Sequence, residues 1–225
     1  MRDSIEEIFS AFGAPFSVGQ ILVRKGAGFV LSHRDEEPFD HLQTYRDAED
    51  AAEIAKYDDA GNYRPLKTAP NLRHGWRLQL ASVEELRRAL DYFYPGRLAI
   101  FAAWKSGQLK MTPFRETLDR QSGMYRITGK ISDPQINDLV ADFCRSDCGC
   151  LRTIFWKRDW NGAIASTKLP REKFDPSVDQ TTASRLPGPA LPVTAAALAT
   201  IPLLCQEACN LLVAECRKVV KGETV

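Results

Sequence analysis

All six of this chain's cysteines lie at or beyond Cys144. They form two tight groups. Cys144, Cys148 and Cys150 sit in FCRSDCGCLR, and Cys205, Cys209 and Cys216 in IPLLCQEACNLLVAECRK. Cysteines that merely fill a core have no reason to avoid the whole front half of a chain. Thiols gathered in this way suit a soft-metal site or an iron–sulfur cluster, where four thiolates converge on one point. The spacings are C-x3-C-x-C and then C-x3-C-x6-C, with the long stretch from Cys150 to Cys205 between the groups. Whatever the back half folds into, it has to bring these two distant segments together.

The rest of the composition narrows the setting. Of the 225 residues, 44% are hydrophobic, enough for a core that needs no disulfides. The 30 basic and 29 acidic residues nearly cancel. That balance argues against a nucleic-acid partner held by bulk charge. No apolar run approaches the ~20 residues of a membrane span. The opening MRDSIEEIFSAF is acidic and amphipathic, unlike a signal peptide. The expected compartment is therefore the reducing cytoplasm, where grouped cysteines suggest metal before disulfide.

Periodicity gives an α+β chain. Residues 3–13 are expected to be helical, with Asp3 or Ser4 as cap. QILVRKGAGFVLSHR reads as a hairpin around Gly26-Ala27-Gly28. Residues 47–57 form a short helix, and 57–76 a long ordered loop anchored by Asn62, Tyr63 and Trp76. WRLQL is a strand. SVEELRRALDYFY is a helix with a Ser82/Glu85 capping box, stopped by Pro95-Gly96. Residues 97–105 are helical, LKMT a strand and PFRETLDR a helix. SDPQINDLVADFC is a helix capped by Asp133 with Pro134 as its first residue. LRTIFW reads as a strand, 157–199 as a Pro-, Ser- and Thr-rich linker, and 202–220 as a helix. The predicted architecture is a small mixed α/β domain over 1–106, packed on a mainly helical domain over 107–225.

On a helix over 202–220, Cys205 and Cys209 stand four residues apart and share one face. Near the helix start, free N–H groups would favour thiolate. The same stripe holds Ala208, Leu212, Val219 and Val220, so Cys216 reads as a core residue. Cys148 and Cys150 are too close for separate corners of a cluster; one is a ligand and the other a spectator. Zinc is the alternative occupant. Neither group has the C-x2-C spacing of structural zinc, however, and His33, His41 and His74 are all in the front half.

Longer stretches carry a resemblance. YDDAGNYRPLKTAPNLRHGWRL, LDYFYPG, RQSGMYR, CLRTIFW and CQEACNLLVA resemble the accessory region of multidomain sirohydrochlorin-chelatase-like proteins of the cobalt-inserting type. In that family a chelatase domain is followed by a stabilising domain and a [4Fe–4S] cluster-binding domain. The likeness covers about residues 15–220. It implies that Cys144, Cys205, Cys209 and one of Cys148 or Cys150 hold the cluster, the CLR context favouring Cys150. No chelatase-like segment is present, so chelation by this polypeptide alone is not expected. The function implied is redox or accessory, linked to metalation of sirohydrochlorin, cobalamin or siroheme precursors. The partner implied is a separate chelatase or a redox protein, with no nucleic acid and no membrane. A zinc-stabilised interaction module without redox activity is the other reading.

Two basic groups remain. Arg64, Lys67, Arg73, His74 and Arg77 could bind a polycarboxylate such as a tetrapyrrole, or tie their loop to its own domain. Arg115, Arg120, Arg126 and Arg152 lie near the cysteines, where positive charge and N–H donors would raise a cluster's potential. Tyr125, Phe155 and Trp156 would shield a cluster or fill the core. No P-loop, G-x-G-x-x-G or G-x-S-x-G occurs, and no catalytic residue is assigned.

Overall fold

A computed structural model describes residues 2–36, 41–109, 114–121, 127–145, 150–154, 199–205 and 207–223. Most of the LKMT strand, Tyr125, Arg126, Cys148, Phe155, Trp156 and nearly all of the 157–199 linker lie outside these residues. The chain divides into two compact units, Met1–Leu109 with Pro176–Leu203, and Lys110–Asp175 with Leu204–Val225. The first unit thus takes in a late segment of the chain, Pro176–Leu203, besides the front half.

The first unit is built on the predicted hairpin. Strands β2 (Ile21–Lys25) and β3 (Phe29–His33) pair antiparallel, with Val23 opposite Leu31. Their turn passes close to the end of β5 (Trp76–Leu80), where a Cβ on Gly28 would overlap the Leu80 carbonyl oxygen. Only glycine lets the two backbones approach this closely. Strands β1 (Phe16–Val18), β4 (Gln43–Tyr45) and β7 (Ala199–Ile201) complete a six-stranded mixed sheet in the order β4-β5-β3-β2-β1-β7. The two outermost pairings, β4 with β5 and β1 with β7, are parallel.

Cross-strand partners share a face. Phe16, Val23, Leu31 and Leu78 therefore run as one row, each at most 1% exposed. Helix α3 (Val83–Phe93) packs over this side, stacking Phe93 on Trp76 with ring centroids 5.2 Å apart. Its predicted capping box is present: the Glu85 N–H donates to Ser82 Oγ, and the Glu85 carboxylate accepts from the Ser82 N–H. Helices α2 (Asp50–Ile54) and α4 (Arg97–Lys105) pack against α3, and α1 (Arg2–Phe12) against α4. Helix α2 is shorter than the expected 47–57, and Ala48 and Ala55 on either side of it are buried along with Ala51 and Ile54.

The loop after α2 is held by its own backbone and by buried donors. Isolated bridges join Tyr57 to Tyr63 and Asp58 to Leu72. The Trp76 indole N–H donates to the Arg73 carbonyl at 2.7 Å, and the Asn62 backbone N–H to Asp58 Oδ1 at 2.6 Å. Tyr63 contributes no side-chain anchor, since it is 72% exposed.

The second unit contains α5 (Phe114–Asp119), a 3₁₀ turn at Thr128–Lys130, α6 (Asp133–Arg145), the short strands β6 (Thr153–Ile154) and β8 (Leu204–Cys205), and α7 (Asn210–Lys221). Its core sets Leu118, Ile131, Ile136, Leu139 and Val140 against Ala208, Leu212, Val213 and Cys216. The cap of α6 is Ser132, one residue before the expected Asp133. The Gln135 N–H donates to Ser132 Oγ, and Gln135 Oε1 accepts from the Ser132 N–H. Asp133 is instead drawn to Arg115. Among the described residues, no helix is long and apolar enough to cross a membrane.

Candidate metal centre

A parallel strand pair joins the segment that follows Cys150 to the segment that ends on Cys205. Thr153 lies opposite Leu204 and Ile154 opposite Cys205. Strand β6 begins at Thr153, just after Cys150, and β8 ends on Cys205. The ladder therefore sets the two residues that follow CLR beside Leu204 and Cys205, although Cys150 and Cys205 are far apart in the sequence. Cys150 and Cys205 are buried, and Cys209 is half-buried.

The helix expected over 202–220 is corrected here. It begins only at Asn210, and Cys205 lies in a strand. Helix hydrogen bonding at Leu204 and Cys205 would give up the ladder to β6, and Leu204 is fully buried in its strand position. Cys209 is the N-cap of α7, in extended backbone with φ −67° and ψ 158°. So the two cysteines do not share a helix face; one ends a strand and the other opens a helix.

That position shapes Cys209. Burial pushes its thiol pKa up, and the neighbouring Cys205 adds to this. The Leu212 and Leu211 N–H groups and Arg152 act in the opposite direction, favouring thiolate. No side-chain hydrogen bond closes the cap, so these N–H groups act on the sulfur without being fully engaged by it.

Arg152 lies between Cys150 and β6. Its Nη1 donates to Cys205 Sγ at 3.7 Å and to Glu207 Oε2 at 2.8 Å. Its side chain is only 12% exposed. Burial opposes the guanidinium charge, but Cys205, Glu207 and Cys150 outweigh it and hold the pKa above the ordinary arginine value. The Cys205 thiol also lies 3.9 Å from the Glu207 carbonyl oxygen. Sequence reasoning does not single out Glu207; its place two residues after Cys205, in CQEAC, is the only signal it gives.

Cys216 behaves as the core residue expected. It is 0% exposed among Ile136, Val140, Leu212 and Val213, and burial pushes its pKa up to about 11. Cys144 occupies the last turn of α6. The Cys144 side chain and all of Cys148 lie outside the described residues. Among the described residues, no group of three or more histidine, cysteine or carboxylate side chains converges closely enough to hold an ion. The chemistry of the donors nevertheless fits a cluster. Buried thiols beside a guanidinium and a helix start, with no histidine among their described neighbours, match the needs of an anionic thiolate centre.

The other predicted arginines have structural work. Arg115 spans the α5–α6 connection, donating to Asp133 Oδ1, to the Thr128 carbonyl at 2.6 Å and to the Ile131 carbonyl at 2.9 Å. Arg120 pairs with Glu116 on the exposed side of α5. In the first unit, Arg64 is 4% exposed and donates to the Ala55 and Ala69 carbonyls. Arg73 donates to Tyr45 Oη at 3.0 Å, Arg77 to Thr44 Oγ1 at 2.9 Å, and Lys67 is half-buried. These contacts tie the basic loop to its own domain. His74 lies against His33 with the rings tilted, centroids 3.9 Å apart. His33 is buried, its Nδ1 accepts the Asp35 N–H, and burial lowers its pKa to about 4.

Two family matches cover nearly the whole chain. Residues 6–106 match the DR2241 stabilising domain, and residues 106–218 match a 4Fe-4S iron-sulfur cluster binding domain. The chain is also similar to the crystal structure of DR2241 from Deinococcus radiodurans, with a TM-score of 0.69 and 27% identity. That structure is described as a multi-domain protein with structural similarity to chelatases but also with two additional novel domains. The match covers 99% of this chain and 42% of the other, so the chain spans less than half of its relative's length. Comparison with curated proteins gives no significant match.

Proposed function

Because the chain belongs to the 4Fe-4S iron-sulfur cluster binding domain family and carries a [4Fe–4S] cluster, we propose that it is a one-electron redox or accessory protein serving tetrapyrrole metalation. The residues proposed to hold the cluster are Cys144, Cys205, Cys209 and Cys150, with Cys148 as spectator. When bound through four cysteines, such a cluster supplies reversible one-electron exchange and leaves no iron open to a substrate.

The supporting observation is the parallel β6–β8 pair, which sets Cys205 beside the segment of Cys150 and gives its sulfur a cationic donor. The chain's own residues have separable tasks. The strand pair orients Cys205. The start of α7 presents N–H groups towards Cys209. The apolar core around Leu212 and Val213 keeps water from that side. The tetrapyrrole link rests on likeness to DR2241, which is described as having structural similarity to chelatases. The proposed partner is accordingly a chelatase or a redox protein that exchanges electrons with it.

Anaerobic redox titration tests this reading. The purified protein is expected to be brown and to bleach reversibly with a single one-electron step. A colourless protein holding one zinc, or a cluster that reduction destroys, would overturn the redox role.

A further inference from the structure

Three features near the strand pair bear on the cluster's electronic state. Arg152 Nη1 reaches both Cys205 Sγ and Glu207 Oε2. The arginine side chain is 12% exposed and Glu207 46% exposed. Arg152 is also electrostatically linked to Cys150. One guanidinium therefore donates to the Cys205 thiol, while its own counter-ion reaches towards water.

From this geometry we infer that Arg152 and Glu207 form an opposed charge pair that sets the cluster's reduction potential, with Arg152 raising it and Glu207 lowering it. The inference deepens the redox reading above and rests on it. Reduction adds one negative charge to the cluster. A cation donating N–H to a ligand sulfur stabilises the more negative state and draws electron density from the iron–sulfur bond. Because the Arg152 side chain is mostly covered, solvent screens its charge at the sulfur less than at an exposed site. Glu207 shares the same Nη1 and so offsets part of that field. A partner bearing positive charge that engaged the exposed Glu207 carboxylate would release this restraint.

A purely structural clasp between the two segments makes a different forecast. Breaking the clasp from either side would loosen the same ladder and move every readout the same way. Arg152 is a positioning residue in either case, so the test needs a readout of sign. The experiment is a dye-mediated titration of the full chain, anaerobic, for the unaltered protein, Arg152→Gln, Arg152→Lys and Glu207→Gln, with iron counted in each.

The expected result is a lower potential in Arg152→Gln, a higher one in Glu207→Gln, and a smaller downward shift in Arg152→Lys. Shifts of the same sign in Arg152→Gln and Glu207→Gln, or no shift in either, would overturn the inference. Should Arg152→Gln lose its iron, the opposite displacements of Arg152→Lys and Glu207→Gln decide the matter.

Resonance Raman spectra of the oxidised proteins give a second, independent readout. Losing the N–H···S donor should raise the iron–cysteine stretching frequency in Arg152→Gln. If the unaltered cluster cannot be reduced reversibly, the redox role fails, and this spectrum still tests the donor. An unchanged frequency in Arg152→Gln would then overturn the inference.

Discussion

At the scale of single residues, His33 and His74 of the first unit show how burial sets chemistry. His33 is 2% exposed with a pKa near 4, against an ordinary 6.5. Desolvation is the main cause, and His74 against its ring adds to it. Between pH 6.5 and pH 4 the unfolded chain therefore binds a proton at this site that the folded chain refuses. Stability contributed by neutral His33 is full above pH 6.5 and falls as the pH drops towards 4, by up to about 3 kcal/mol. His33→Asn, whose side-chain oxygen can still accept the Asp35 N–H, should flatten this part of the stability profile. Urea unfolding from neutral pH down towards the folded-state pKa measures it; an equal decline in both proteins would show that other groups carry the acid sensitivity.

Neighbours, rather than burial, separate the cysteines, since Cys205 and Cys216 lie in one core cluster. Cys216 is enclosed by aliphatic side chains in the second core, whereas Cys205 faces a guanidinium and Cys209 a helix start. Sequence spacing alone can single out Cys216, because it lies well inside a helix with apolar neighbours on its own stripe. It cannot find Glu207, since a lone glutamate beside a cysteine has no periodic signature.

At the scale of elements, legibility follows length. The β2–β3 hairpin and α3 are readable because strands of 5 residues and a capped helix of 11 residues repeat their pattern several times. Strands β1, β4 and β7 have 3 residues each, too few to show alternation. The β8–α7 junction misleads for a related reason. Four-residue spacing between Cys205 and Cys209 imitates a helix face, but pairing with β6, which is distant in sequence, outweighs local preference. The capping box of α3 provides a test at this scale. Ser82→Ala should cost about 1 kcal/mol, because the Glu85 N–H loses its acceptor at the helix start. Denaturant midpoints of the two proteins measure the loss, and an unchanged midpoint would mean that packing of α3 fixes its start without the cap.

At the scale of the whole molecule, the chain builds two centres of order and alternates between them. The first unit is closed by β7, which follows β1 only after most of the chain has intervened and pairs with it in parallel, Val18 opposite Ile201. Soon after β7 ends at Ile201, β8 opens at Leu204 and joins the second unit. The same short run of chain thus completes one sheet and delivers Cys205 to the other unit. Linear reading does not anticipate β7, because parallel pairing between segments so far apart leaves no local trace. The cluster chemistry is legible for the opposite reason: thiols are rare, and their grouping survives in sequence whatever the fold does between them.

Cysteines of both groups are proposed to hold one cluster jointly. Iron and acid-labile sulfide per chain, counted after anaerobic purification of the unaltered protein, Cys205→Ser and Cys216→Ala, test this most directly. About four of each are expected in the unaltered protein and in Cys216→Ala, with both largely lost in Cys205→Ser. Full iron and sulfide in Cys205→Ser, or their loss in Cys216→Ala with the fold intact, would contradict it.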